Sequence, residues 1–420
     1  MTQTDRNGAT QSGGDSGGDP GVLRRGAVIA VAMGIMNIAT YGYTVGAAHL
    51  IGPGPFGAFS ALMGVLLVVN VLSLGLQATG ARRISADPHH VVEIERVVLG
   101  VSLRSAVVLG AVCLAIAPLI NLGLRLDSLP TAMLVAVAAA PLTIMGGQAG
   151  VLQGERRWEP LAALYLAQGL GRLLFGVGLM VVWRTEFAAF LGVAIGAWVP
   201  VIVGYVVLRR PRTDAVTSDV VLGQVDVLRE VARSSQALLA FFVLSNADVL
   251  LARALLDEDL AGLYAGGLIL VKAILFLPQF VVVIAFPAMA SRGADRSTLV
   301  RSVGVAGGLG VIGLVGTLLL PGLALVFVGG SDFAGIKDDL WLFAIVGTLL
   351  SMIQLLVYSV LARQQWRAIL MIWTALIALA GMATVVDTTT GLVTLVGIVD
   401  GVLLLGLIAS AWLDSGAREA

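Results

Sequence analysis

Residues 56–80 read FGAFSALMGVLLVVNVLSLGLQATG, and Ala81-Arg82-Arg83 follows at once. This stretch decides the fold. A bilayer core about 30 Å thick is crossed by roughly 20 helical residues. Backbone groups unpaired in hydrocarbon are costly enough that only helices or closed barrels cross it. The run has no period-two alternation, which excludes a barrel strand. It reads as a transmembrane helix ending on a pair of arginines.

The same pattern recurs about twelve times, over 26–50, 56–80, 98–122, 129–152, 160–183, 187–208, 235–256, 263–288, 299–328, 340–361, 366–386 and 391–412. The expected fold class is therefore an all-α polytopic membrane protein. With 58% hydrophobic and 12% charged residues among 420, no sizeable soluble domain fits. The formal net charge of zero offers no basic field for nucleic acid. The lone Cys113 cannot form an intrachain disulfide. His49, His89 and His90 have no carboxylate or thiolate cluster beside them, so no metal centre is expected. The only lysines, Lys272 and Lys337, follow Val271 and Ile336, so there is no Walker A loop. Gly308-Leu309-Gly310-Val311-Ile312-Gly313 fits GxGxxG but lies in a transmembrane run without a preceding strand, and reads as helix packing. No nucleophile–base pair stands in the loops. The sequence predicts neither enzyme nor cofactor.

Charge orients the chain. One set of junctions holds Arg24/Arg25, Arg82/Arg83, Arg156/Arg157, Arg209/Arg210/Arg212, Arg292/Arg296 and Arg363/Arg367. The opposite set holds Arg125, Arg184 and Lys337 beside Asp257-Glu258-Asp259. Both termini are therefore expected in the cytoplasm. Trp183, Trp341 and Trp412 fall at predicted lipid boundaries.

An internal repeat divides the chain. Aligning Gly57 with Gly262 also aligns Phe59 with Tyr264 and Ile51 with Leu256, an offset of about 205 residues. Leu152 through Trp158 is echoed by Leu361 through Trp366 at nearly the same offset. The expected organisation is a disordered tail over 1–22, a six-helix half over 23–208, a linker over 209–234, a second six-helix half over 235–413 and a short tail over 414–420. In the linker, Leu222, Val225, Leu228 and Ala232 recur at helical spacing, which predicts an amphipathic helix on the cytoplasmic interface.

Several spans carry polar stripes on one face. They are Asn37/Thr40/Tyr41/Thr44, Asn70/Ser73/Gln77, Tyr165/Gln168/Arg172, Asn246/Arg253, Ser245/Asp248, Lys272/Gln279 and Ser351/Gln354/Tyr358. Hydrogen bonding between packed helices is one reading of the neutral members. A charge at helix centre costs roughly 2.5–3.5 kcal/mol on the insertion scale. Arg172, Lys272 and Asp248 thus call for a wet cavity or a buried partner, and Asp400 is a weaker case. Pro141, Pro200, Pro278 and Pro321 mark kinks, and Gly42/Gly46 give a GxxxG spacing.

Leu50-Ile51-Gly52-Pro53, Phe56-Gly57-Ala58-Phe59, Leu152-Gln153-Gly154-Glu155-Arg156-Arg157-Trp158, Asn246-Ala247-Asp248, Gly262-Leu263-Tyr264 and Phe286-Pro287 stand in an order and spacing that carry a family likeness. The chain resembles the polysaccharide-biosynthesis, O-antigen-flippase-like branch of the multidrug/oligosaccharidyl-lipid/polysaccharide (MOP) exporter superfamily, over nearly its whole length after residue 22. The resemblance implies a MATE-like fold of two six-helix bundles around a central cavity, lined largely by the first, second, seventh and eighth helices. It also implies movement of a polyprenyl-diphosphate-linked glycan between the leaflets of a bacterial inner membrane.

On that reading Arg172 and Lys272 attract the diphosphate, and Arg253 lies near the outer exit. Asn37, Tyr41, Asn70, Gln77, Gln168, Gln279 and Gln354 line the glycan path, and Asp248 couples an ion or proton. Membrane lipids are partners, as are glycosyltransferases or a polymerase. A MATE-like drug antiporter and a non-transporting scaffold of a glycan-assembly complex are the alternatives.

Overall fold

The computed structural model describes residues 20–209, 224–276, 296–363 and 366–419, and no strand occurs among them. The first group of helices runs α1 (Pro20–Ile51), α2 (Pro53–Val69), α3 (Val71–Ala86), α4 (Val91–Gly123) and α5 (Leu129–Gly154). It closes with α6 (Trp158–Val182), α7 (Glu186–Gly196) and α8 (Trp198–Leu208). The second group runs α9 (Gln224–Leu255), α10 (Glu258–Phe276), α11 (Arg296–Leu319), α12 (Pro321–Val328), a 3₁₀ segment (Gly330–Asp339), α13 (Leu340–Arg363), α14 (Trp366–Ala383) and α15 (Thr389–Glu419). Among the described residues ten helical stretches are long and apolar enough to cross a membrane, and α11 with α12 makes an eleventh as a bent pair. The predicted 263–288 span starts in α10 and continues beyond Phe276, outside the described residues, as do Pro278, Gln279 and Phe286-Pro287.

Local chemistry sets the breaks. Gly52 takes φ 74° between α1 and α2, a conformation open to glycine, and Pro53 opens α2 where its missing N–H costs nothing. Thr185 caps α7, its hydroxyl oxygen accepting from the Ala188 N–H at 3.2 Å. Both sequence echoes fall at equivalent junctions. Pro53 and Glu258 open α2 and α10, and Trp158 and Trp366 open α6 and α14.

Two expectations need correction. The 299–328 span is not one straight helix: it bends by 102° between Leu319 and Pro321. Leu320 leaves helical geometry at φ −128°, ψ 55°, and Pro321 starts the new helix. The linker helix is not separate either. Residues 224–234 are the first turns of α9, because Val227 and Val231 are buried against Leu76 of α3 and Val101 of α4. Val225 and Leu228, of the face expected at the interface, are exposed, and Leu222 lies outside the described residues.

Packing within the first group joins α1 to α6, α4 to α5, α3 to α5 and α6 to α7. In the second, α13 packs on α10, α11 and α15, and α14 on α15. Gly310 of the GxGxxG stretch does pack closely: a Cβ there would stand 2.2 Å from Thr348 of α13. Gly42 and Gly46 meet no described atom within 4 Å, so their spacing marks no contact.

The groups join where α2 and α10 begin. The repeat-related Gly57 and Gly262 touch: a Cβ on Gly57 would lie 3.0 Å from the Gly262 Cα, and one on Gly262 would lie 2.2 Å from the Pro53 carbonyl oxygen. Phe56, Phe59 and Tyr264 are fully buried around them. This joint lies at the end of the bundle that carries Asp257, Glu258 and Asp259, here called the acidic end; the other is the arginine-rich end.

A Gly262→Val chain has no room for its side chain, and overpacking of this kind costs about 1–3 kcal/mol. Its melting temperature in detergent falls below that of the unsubstituted chain, whereas Gly42→Ala, facing open space, melts within a degree or so of it.

Candidate functional site

The predicted polar residues separate into four sets. In the first group, the Gln77 amide of α3 donates to Gln153 Oε1 of α5 at 2.9 Å and to the Tyr165 hydroxyl of α6 at 2.8 Å. Ser73, one turn earlier, donates to the Leu142 carbonyl at 2.7 Å. Both tie neighbouring helices together, as the packing reading of a polar stripe requires. Tyr41 instead reaches across the groups, its hydroxyl donating to the Ile269 carbonyl of α10 at 3.4 Å.

Asn37, Asn70, Gln168 and Arg172 are half-buried. Among the described residues none of their side chains makes a hydrogen bond or ion pair. Met36 and Gly169 touch backbone to backbone, so Asn37 and Gln168 sit at one level of the α1–α6 pair, and Arg172 follows one turn along α6. Glycines set its depth: a Cβ on Gly196 of α7 would stand 2.8 Å from the Arg172 Cα. The cation interacts electrostatically with Tyr43, whose hydroxyl is committed to the Ala189 carbonyl at 2.6 Å. No described carboxylate lies within ion-pair distance of it.

The third set lies in the second group. Asp248 of α9 is 2% exposed, accepting from the Val249 N–H at 2.8 Å and from the Tyr264 hydroxyl of α10 at 3.3 Å. Lys272 of α10 and Asp400 of α15 interact with it electrostatically, with no described ion pair at Lys272. Asp400 is equally buried, and its Oδ2 has no hydrogen-bond partner among the described residues. Lys272 thus faces Asp248, which a second buried carboxylate, Asp400, also faces. Asn246, also 2% exposed, spends its amide on the Phe242 carbonyl at 2.8 Å and leaves Oδ1 unpartnered among the described residues. Gln354 of α13 is buried and engaged. Gln279 lies outside the described residues.

Arg253 belongs to a fourth set, and the structure gives it a different task from lining a path. Its guanidinium is 3% exposed, with Nε donating to the Leu124 carbonyl and a terminal nitrogen to the Arg125 carbonyl, both at 2.9 Å. Glu258 lies 3.4 Å from the same nitrogen. Arg125, in left-handed backbone at φ 48°, returns a bond to the Leu256 carbonyl at 3.3 Å. The α9–α10 and α4–α5 turns are thus clasped reciprocally at the acidic end. At the arginine-rich end the Glu230 carboxylate of α9 takes Arg82 and, at 2.7 Å, Arg83 of α3.

Sequence reading missed Arg125, Glu230 and the pairing of Asp400 with Asp248. A left-handed arginine and a carboxylate across a helix junction leave no periodic trace. Asp400 had only its depth in an apolar run as a signal.

The profile of a family described as polysaccharide biosynthesis protein matches residues 22–292. No curated protein matches the chain. Among solved structures, the lipid II flippase MurJ in an inward closed conformation superposes with a TM-score of 0.71 at 12% identity, covering 92% of this chain and 87% of its own. A multidrug-resistance MATE family transporter of the MOP superfamily, inward-facing, gives 0.67 at 15% identity over 93% and 99%. An outward-facing MATE family transporter of that superfamily gives 0.58 at 13% identity over 94% and 96%. The fold is thus the one shared by these MurJ and MATE transporters.

Replacing Arg253 by Leu removes the clasp and leaves two loop carbonyls without their donor. Each such buried group costs about 1–3 kcal/mol. The variant unfolds earlier in a denaturant titration, and a thiol placed at Leu126 becomes several-fold more reactive to a membrane-impermeant maleimide.

Proposed function

Because this chain belongs to the polysaccharide biosynthesis protein family and has the MOP transporter fold, we propose that it is a flippase for a polyprenyl-diphosphate-linked oligosaccharide or polysaccharide precursor. It works in a bacterial cell membrane, carrying its substrate from the cytoplasmic to the outer leaflet by alternating access. The observation that carries this reading is a pair of half-buried membrane cations, Arg172 and Lys272, held without a described carboxylate at ion-pair distance.

A glycan on an anionic diphosphate cannot enter hydrocarbon without losing its hydrogen bonds and counter-charge. Fixed cations in a wet passage supply both, and their pull on phosphate strengthens as the local dielectric falls. Arg172 presents a planar fork suited to two phosphate oxygens, and Lys272 a mobile point charge. Asn37 and Gln168, without hydrogen bonds among the described residues, are placed beside Arg172 to receive sugar hydroxyls. The apolar tail remains in lipid throughout.

Asp248 and Lys272 supply the coupling. When the lysine turns to the diphosphate, Asp248 loses its counter-charge and takes up a proton or small cation instead. The arginine-rich junctions support placing the termini, and the entry side, in the cytoplasm. The closed joint at Gly57 and Gly262 accords with an inward state.

One observation favours a MATE-like exporter of cationic compounds, namely the buried pair Asp248 and Asp400. Against it, Lys272 already faces Asp248, and Arg172 would repel a cationic cargo from the other half.

In cells depleted of the protein, lipid-linked precursor accumulates on the cytoplasmic face of the membrane. Complementation with Arg172→Ala or Lys272→Ala lowers export by about 10–100-fold, the loss of one charge-assisted contact of about 1.5–3 kcal/mol. Normal export by both variants, at normal protein levels, would sink the diphosphate path; it is also what a scaffold predicts.

A further inference from the structure

The bend after α11 turns the short last helix of this bent span away from the direction of crossing. The apolar part of α11, Val303–Leu319, spans about 26 Å at 1.5 Å per residue, so most of the hydrocarbon core is crossed before α12 begins. α12 then departs at 102° to the preceding helix, which sets it near the plane of the bilayer.

Its eight residues are two-faced. Ala324, Leu325 and Val328 turn inward, the last fully buried and the first two packed on the main core. Leu323, Val326 and Phe327, on the opposite side, are 55%, 58% and 50% exposed. That apolar face continues from a band on α11, where Ile312, Leu318 and Leu319 are exposed at 68%, 56% and 74%, through Leu320 at the break, exposed at 57%. The band on α11 faces hydrocarbon, since that helix crosses the bilayer. No polar residue interrupts it before Leu323. Just past the helix the exposed residues change character to Asp332, Lys337 and Asp338, which belong in water. The hydrocarbon boundary therefore passes along α12 itself.

The segment is also firmly seated. Gly329 and Gly330, at φ 147° and 80°, turn the chain so that Phe333 enters the core. There Phe333 is fully buried, crosses Phe56 of α2 edge to face at 6.0 Å, and presses on Gly266 of α10. α12 packs on α10 and reaches α1, with Gly330 beside His49. It lies over the acidic end of the line along which α1 and α10 meet.

We propose that α12 is an interfacial lipid-binding helix. It is embedded by Leu323, Val326 and Phe327 in the acyl boundary of the leaflet at the acidic end, and it fixes the level of the α1–α10 junction in the bilayer. Its partner is the hydrocarbon of membrane phospholipid, not another protein. α12 carries no polar side chain, so buried apolar area alone holds it there, and Trp341, 39% exposed just beyond, is of a residue type enriched at membrane boundaries.

The test uses the full chain with Cys113→Ala, carrying a single cysteine at Leu323, Phe327, Ala324 or Lys337. Each is labelled with an environment-sensitive fluorophore in phosphatidylglycerol nanodiscs. Nitroxide on the fifth acyl carbon quenches the labels at Leu323 and Phe327 several-fold more than that at Lys337, and aqueous iodide gives the reverse order. Ala324, facing the core, is reached by neither. Iodide access at Leu323 and Phe327 equal to that at Lys337 overturns the proposal, as does protection of both positions from both quenchers, which assigns the face to a protein cover. Equal lipid quenching at Ala324 and Leu323 overturns it too, because α12 would then stand free of the core. None of these readings depends on transport, so the flippase reading can fail without it.

Discussion

The two groups of helices are held together where two glycines leave no room for anything else. Gly57 and Gly262 occupy equivalent places in the internal repeat and meet backbone to backbone, with the Pro53 carbonyl against the second. Because neither has a Cβ, the first turns of α2 and α10 approach more closely than other residues would allow. That approach brings Phe56, Phe59 and Tyr264 into one core and sets the turns after α1 and α9 side by side. The Arg253 clasp depends on it, since its carbonyl acceptors lie on the opposing group.

Helix after helix was legible in the sequence for a single reason: hydrocarbon forbids unpaired backbone, so a long apolar run has one solution. The 56–80 run and its neighbours are found where that argument puts them. The echo of Gly57 and Phe59 in Gly262 and Tyr264 had a physical cause, because all four meet at the joint. The bend at Leu320 was not, since a proline next to apolar residues fits a kinked span as well as an in-plane turn. The linker helix was misplaced because Val227 and Val231 looked incidental until Leu76 and Val101 came opposite them.

Site chemistry was legible by residue type rather than by role. The cost of a membrane charge singled out Arg172, Lys272 and Asp248, but it could not say which charge had a partner. The structure divides them: Asp248 holds Tyr264, while Arg172 has no described carboxylate near it. Arg253 shared a face with Asn246 and read as cavity, yet its Nε and one terminal nitrogen are spent on loop carbonyls. Stripes report which face is polar; only neighbours from distant sequence report what that face meets.

The attachment of α9 bears on where the molecule can flex. By chain order α9 opens the second half, yet Glu230 is gripped by Arg82 and Arg83, Ser235 fills the space at Gly75, Asn246 lies against Gly64, and Arg253 holds the turn after α4. From one surface of the bilayer to the other it is riveted to the first six spans. A tilting of the halves that spared these rivets would shear between α9 and its own successors, so the mechanical unit would comprise seven spans against the remainder. The boundary of the repeat read from the sequence and the boundary of such a motion would then fall one helix apart.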